Sequence, residues 1–184
     1  WKEQTAGVFD TLVAVEYWDA NIRGVETPER AQGFKVSPEF FDSLGIQPVL
    51  GRAFLGSDGR AGESPRVILG HGLWQRSFAG DQGILGRTVS VDGQAYSVVG
   101  IAPRDFMFPE GAEMWAPMTD LGPGAAPRDK HYLTAIGLLK PGVSITSARA
   151  QLATVAQRLE AENPVTNKAR SVTIESLSHG FEDP

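Results

Sequence analysis

The period of the apolar positions changes several times along the chain, and each change marks an element. From Phe9 to Arg23 the chain reads as extended: Val13, Val15 and Tyr17 fall on one face, with Glu16 and Asp19 among the other positions. Residues 1–7 precede it as a candidate helix remnant. Gly24 to Glu29 supplies a turn and Ala31 to Val36 a return strand. Ser37-Pro38-Glu39 predicts a helix start, because Ser can cap, Pro suits the first helical position and Glu complements the N-terminal dipole. Phe40, Phe41 and Leu44 face inward on this short helix and Gly45 ends it. Gln47 to Leu55 is extended and broken at Gly51-Arg52, Gly56 to Pro65 is a polar loop, and Arg66 to Leu69 is a short strand. His71 to Phe78 predicts a short amphipathic helix with Trp74 and Phe78 at i, i+4.

The clearest hairpin runs from Arg87 to Val91 and from Gln94 to Ala102. Asp92-Gly93 between these strands suits a type I′ turn, which needs positive φ at both central residues. Phe106-Met107-Phe108 places three bulky apolar residues in a row beside prolines. Alternating burial in a strand accounts for two, and the third is a candidate exposed contact. A strand is expected around Met114 to Pro117, and Gly122 to Arg128 is a loop at a subdomain boundary. His131 to Leu139 is apolar on nearly both faces, as a central strand would be. Lys140-Pro141-Gly142 turns the chain and Ser144 caps a helix from about Ile145 to Ala161. Its stripe is Ile145, Ala148, Leu152, Val155 and Leu159. Asn163-Pro164 stops it, and Ser171 to Ser176 is a further strand.

These elements predict an α+β fold of two packed units. One is a split βαβ unit made of both chain ends, residues 1–48 and 128–184. The other is a mostly β insertion over 49–127.

The 184 residues are ordinary in composition, 41% hydrophobic and 21% charged, which excludes a disordered tail or fibrous repeat. With 17 basic and 22 acidic residues the net charge of −5 gives no footprint for nucleic acid, and the scattered basic residues give none for an anionic membrane surface. Cysteine is absent, which removes thiolate catalysis, Cys-ligated zinc and disulfides. No stretch approaches the roughly 20 apolar residues of a membrane span. The abrupt ends, Trp1-Lys2-Glu3 and Phe181-Glu182-Asp183-Pro184, lead us to expect a piece of a longer protein.

Phosphate loops, His-Glu-x-x-His and Gly-x-Ser-x-Gly are all missing. His71, His131 and His179 are too far apart in sequence for a local metal pair. Neither catalytic, cofactor-binding nor metal-ligating residues are therefore assigned. Glu16, Asp19 and Glu26 read as a solvated strand face, and Asp58 and Asp81 as turn residues. Two other readings stay open at this level. Trp18, Trp74 or Trp115 would serve a secreted carbohydrate- or peptide-binding module, although packing also explains them. His71 beside a carboxylate would serve a hydrolase.

Four blocks of this chain resemble the MacB-like periplasmic core domain. They are Val36 to Arg52 (Val-Ser-Pro-Glu-Phe-Phe-Asp-Ser-Leu-Gly-Ile-Gln-Pro-Val-Leu-Gly-Arg), Leu69 to Asp81 with Leu85 to Thr88, Val91-Asp92-Gly93 with Tyr96 to Pro103, and Lys140 to Ser144 with the helix that follows. The resemblance implies an extracytoplasmic domain of an inner-membrane ABC-transporter permease in the FtsX/MacB/LolC-E superfamily, closest to its orphan-permease branch. It implies a ferredoxin-like porter subdomain interrupted by a strand-rich sabre subdomain, and no bond chemistry. Partners implied are a second permease subunit, a cytoplasmic ATPase and a periplasmic adaptor. Phe106, Met107 and Phe108 are the candidate partner contact, no cofactor is expected, and the isolated domain is expected to be a monomer. Both termini are expected at the same end of the molecule.

Overall fold

In the computed structural model the described residues are 5–23, 28–119, 133–167 and 172–177. The strands are β1 (Phe9–Arg23), β2 (Pro28–Val36), β3 (Leu50–Gly51), β4 (Arg66–Leu69), β5 (Thr88–Val91), β6 (Gln94–Ile101), β7 (Met114–Pro117) and β8 (Thr134–Leu139). The helices are α1 (Phe40–Ser43), α2 (His71–Phe78), α3 (Ile145–Glu162) and α4 (Pro164–Asn167). Contacts group the chain into two compact units. The larger is Val13–Ala126 with Tyr132–Ile136, and the smaller is Trp1–Leu12, Pro127–His131 and Gly137–Pro184. Residues 13–48 thus pack with 49–126.

The larger unit is built on a hydrogen-bonded ring of six strands. β1 pairs antiparallel with β2 from Val15↔Val36 to Arg23↔Pro28. β2 pairs parallel with β7, β7 antiparallel with β4, and β4 parallel with β6. β6 forms the hairpin with β5, and β5 returns to β1 at Ile22↔Val91 and Arg23↔Ser90. β3 pairs with β6 at Leu50↔Ile101 and Gly51↔Gly100, beyond the last residue that β5 reaches. The ring removes sheet edges that would otherwise present unpaired backbone groups.

Strands β1, β2, β4, β6 and β7 bury residues on both faces, so alternation along them feeds two cores. Ala20, Ile22, Ala31, Val67, Leu69, Val89, Val91, Val98, Met114 and Ala116 form one cluster, to which all six strands contribute. That is what the interior of a closed ring requires. Leu73, Trp74 and Phe78 of α2 pack into the same cluster. The opposite face carries Phe34, Val36, Ile68 and Trp115, covered by Phe40 and Phe41 of α1 and by Phe54 and Phe106. Edge-on contacts of Phe41 with Phe54 at 5.9 Å and with Trp115 at 5.4 Å knit this aromatic cluster together.

The double core corrects the reading of β1. Val13 and Val15 point to the aromatic cluster, whereas Ala20 and Ile22 point into the ring. Tyr17 shares the parity of Val13 and Val15 but is 58% exposed, its ring edge-on to Phe34 at 5.6 Å. A strand that changes which face is buried cannot keep one apolar stripe along 15 residues.

Other expectations hold locally. The Asp92-Gly93 turn has φ of 49° and 78°, as a type I′ turn needs. Gly45 ends α1 at φ 68°. Ser37, in contrast, does not cap α1: its hydroxyl accepts the backbone N–H of Ala14 at 2.9 Å and ties α1's entry to β1. Phe106, Met107 and Phe108 lie in an irregular segment and turn, not a strand.

In the smaller unit Ser144 caps α3 through the Ser147 N–H at 3.1 Å, as its sequence predicts. Ala148 and Leu152 are the buried members of the expected stripe. Lys140 N–H bonds the Val8 carbonyl at 3.0 Å, and residues 5–8 form a turn rather than a helix. β8 is not a central strand. It stands last in the strand order beside β1, and Leu138 is 57% exposed. Apolar residues on both faces therefore do not identify a central strand by themselves. Residues 172–177 form no strand; the Ile174 carbonyl instead accepts from Arg149 of α3 at 2.9 Å. Residues 24–27, the 122–128 loop, His131, His179 and both extreme termini lie outside the described residues, as does the expectation about where the termini sit.

Candidate functional site

Pairing register brings several polar side chains to one end of the strand ring. Glu16 of β1 lies opposite Lys35 of β2, and Lys35 lies opposite Ala116 of β7. Glu16 shares strand parity with Ala20 and Ile22, Lys35 with Ala31, and Tyr96 with Val98, so all three belong to the ring's interior face. These residues, with the 58–66 loop, Gln94, Met118 and Leu133, line a cleft of 510 Å³ at the ring's mouth.

The loop wall is fixed by Asp58. Its carboxylate accepts from Arg52 Nη1 at 2.6 Å, Arg52 Nη2 at 3.2 Å and the Leu55 N–H at 2.9 Å, with Arg66 Nε at 3.7 Å. Burial by itself raises the Asp58 pKa, but the Arg52 hydrogen bonds, the Leu55 N–H and the two guanidinium charges outweigh it. The carboxyl is held below its usual range.

A second cluster borders the cleft. Asp92 in the hairpin turn accepts from the Asn21 N–H at 2.9 Å, Asn21 Nδ2 at 3.1 Å and Trp18 Nε1 at 2.8 Å. The Asn21 backbone bond is the main reason its pKa is lowered. The Lys35 ammonium lies 5.6 Å from the centre of the Trp18 ring, and Trp18 packs on Tyr96 at 5.6 Å. Burial pushes the Tyr96 phenol up, reinforced by the Asp92 charge.

A third polar group clamps α2 to the sheet. Arg76 Nε meets Glu29 at 2.8 Å, Arg76 Nη2 meets Glu113 at 2.6 Å, and the Ser77 hydroxyl donates to Glu29 at 2.5 Å. Burial alone lowers the Arg76 pKa, but its two carboxylate partners outweigh it and the pKa is raised. Sequence reasoning missed both this clamp and the cleft. Strand parity could have grouped Glu16, Lys35 and Tyr96, but only once the ring pairing was known.

The residues singled out from the sequence have plainer positions. His71 opens α2 and sits edge-on to Trp74 at 5.4 Å. Trp115 is fully buried with Nε1 donating to the Phe108 carbonyl, and Trp74 donates to the Asp81 carbonyl. Asp81 caps the following 3-10 turn through Gly83 N–H and pairs with Arg87. Asp19 pairs with Arg30 across β1 and β2. Among the described residues no His, Cys, Asp and Glu cluster can hold a metal ion. Phe106 is buried against Trp115 at 5.3 Å and Phe108 stacks on Phe40 at 6.2 Å, which leaves Met107, 60% exposed, as the outward member of the three.

These groups hold neighbouring elements together. Residues 3–155 match the MacB-like periplasmic core domain. The chain belongs to that family. Of solved structures, the periplasmic region of MacB from Actinobacillus actinomycetemcomitans is similar at 14% identity and a TM-score of 0.64, over 87% of this chain and 70% of that one. The extracellular domain of the noncanonic ABC-type transporter YknZ from Gram-positive bacteria is similar at 18% identity and a TM-score of 0.62, over 89% and 81%. A domain of a putative permease protein from Porphyromonas gingivalis gives 18%, 0.60, 82% and 70%. These likenesses show a common fold. No curated protein matches the chain.

As a MacB-like periplasmic core domain, this chain is an extracytoplasmic domain of an ABC-transporter permease, a membrane-embedded protein that works with an ATPase. No helix among the described residues is long and apolar enough to cross a membrane. The family blocks acquire physical roles. Gly51 of the first block faces Gly100 of the hairpin block, and a Cβ on Gly100 would lie 2.5 Å from the Arg52 carbonyl oxygen. In the second block, Asp81 and Arg87 join across the α2 exit.

Proposed function

We propose that this domain is a non-catalytic module that transmits conformational change from the membrane-embedded part of its permease and binds partner subunits or cargo. The observation that carries this reading is the closed ring packed on both faces. Its polar side chains Asp58, Arg76, Asp81 and Asp92 all engage neighbouring elements. A close-packed interior of this kind passes strain on rather than absorbing it. The partners of the proposal are a second permease subunit, the ATPase and a periplasmic adaptor. Met107, exposed between the inward-packed Phe106 and Phe108, is the proposed contact. Without the membrane part to raise local concentration, the isolated domain is a monomer in this proposal.

A porter-like role for 1–48 with 128–184, and a sabre-like role for 49–127, belong to the same proposal. Because contacts group 13–48 with the larger unit, limited proteolysis tests the boundary: protection through residue 48 would move that segment to the larger part.

This domain contributes no cysteine of its own, so one introduced here labels a single site once any cysteines elsewhere in the parent are replaced. Met107→Cys in the full parent transporter, spin-labelled and reconstituted, reports the separation of the two copies. A nucleotide-dependent shift in that separation is expected. Identical distance distributions in the nucleotide-free and ATP-trapped states would sink the transmission reading.

A further inference from the structure

We propose that the mouth of the six-strand ring binds a short zwitterionic peptide, with its carboxylate on Lys35 and Arg60 and its ammonium on Glu16 and Glu63. Small strand rings fill their interior with side chains. Here Val98, Ile22 and Met114 fill it, and the packing stops short at the end lined by Glu16, Lys35 and Tyr96. The 510 Å³ left there falls within the roughly 300–1,000 Å³ of small-ligand sites.

Charge placement argues for a ligand with both signs. Glu16 and Lys35 face each other in register, where a cross-strand ion pair is the default arrangement. Among the described residues no ion pair joins them; the ammonium lies over Trp18 instead. Asp58 is already committed to Arg52 and Arg66, and each of those cations to Asp58. That leaves two carboxylates, Glu16 and Glu63, and two cations, Lys35 and Arg60, on the cleft wall without an ion-pair partner among the described residues. A ligand of one sign would match half of this set, whereas a zwitterion matches both halves.

Tyr96 supplies an independent observation. It is 9% exposed and lines the cleft, yet its hydroxyl makes no hydrogen bond to protein among the described residues. Buried phenols usually find a partner, so a group in the cleft completes this one. Ala116, Pro117 and Leu133 give apolar wall for peptide side chains.

Trialanine is the probe, titrated into the isotope-labelled 184-residue chain while amide shifts are followed by NMR. Saturable shifts at Gln94, Tyr96 and Ala116 are expected, with a Kd on the order of millimolar for so small a ligand. N-acetyl-trialanine and trialanine amide each lack one charge and should bind about tenfold more weakly. Tyr96→Phe, which keeps the ring, should weaken binding about threefold to tenfold. Absence of saturable shifts at the cleft, or equal affinity for the end-blocked peptides, would overturn the proposal. The blocked-peptide arm needs no variant, so it holds even if a substitution unfolds the chain.

Discussion

Replacing Asp58 by Asn tests whether one carboxylate fixes the 52–66 segment. Its side chain is only 5% exposed and accepts three hydrogen bonds, two from Arg52 and one from the Leu55 N–H, beside Arg66. Asn keeps one acceptor, sufficient for Leu55, but turns an amide donor toward Arg52 and removes the charge. A charge-assisted hydrogen bond is worth about 1.5–3 kcal/mol, and the 40% exposure of Arg52 takes the figure to the lower half, about 2 kcal/mol. For a chain of this size that is a fall in Tm of about 4–8 °C. Urea unfolding of both proteins, followed by tryptophan fluorescence, measures the difference. Its pH dependence is the sharper test. The folded pKa of Asp58 is depressed, so its contribution is fully present above the unfolded carboxyl value of about 4 and is lost as pH falls through the folded value. The gap between wild type and Asp58→Asn should stay constant from about pH 7 to about pH 5 and close in stronger acid. A gap below about 0.5 kcal/mol at neutral pH, or one that persists undiminished in acid, would refute the argument.

Further substitutions at four positions probe the rest of the fold. Phe41→Ala opens a cavity among Phe54, Phe106 and Trp115 and should cost about 3–5 kcal/mol in urea unfolding. Gly100→Ala drives a methyl to 2.5 Å from the Arg52 carbonyl oxygen and should cost about 1–3 kcal/mol, whereas Gly72→Ala in α2, with only the Arg76 guanidinium at 3.8 Å, should be neutral or stabilising in the same assay. Asp92→Ala strips acceptors from Trp18 and Asn21 at a position of φ 49°, for an expected loss of about 1–2 kcal/mol and an altered Trp18 emission; Asp92→Asn, which tolerates positive φ and keeps an acceptor, should lose less.

Local chemistry was legible wherever a short run of residues determines its own conformation. The Asp92-Gly93 hairpin, the Ser144 cap, the Gly45 stop and the amphipathic α2 all stand where their residues predict. So does the burial of Trp74 and Trp115. The misreadings share one cause. Tyr17, Ser37 and Leu138 were assigned faces or roles from neighbours in sequence, while their surroundings are supplied by elements far along the chain. The Ser37 hydroxyl, for example, accepts from the Ala14 N–H, 23 residues away, and α1 has no side-chain cap.

The sequence by itself determined the α+β class, most element positions and the family, because periodicity, turn residues and motif blocks are local properties of the chain. Only the tertiary structure decided that six strands close into a ring with a core on each face, and that Glu16, Lys35 and Tyr96 meet at its mouth. Parity along a strand says which residues share a face, but pairing between distant strands decides what that face looks at. That pairing is settled by burial summed over the whole ring, which no single segment encodes.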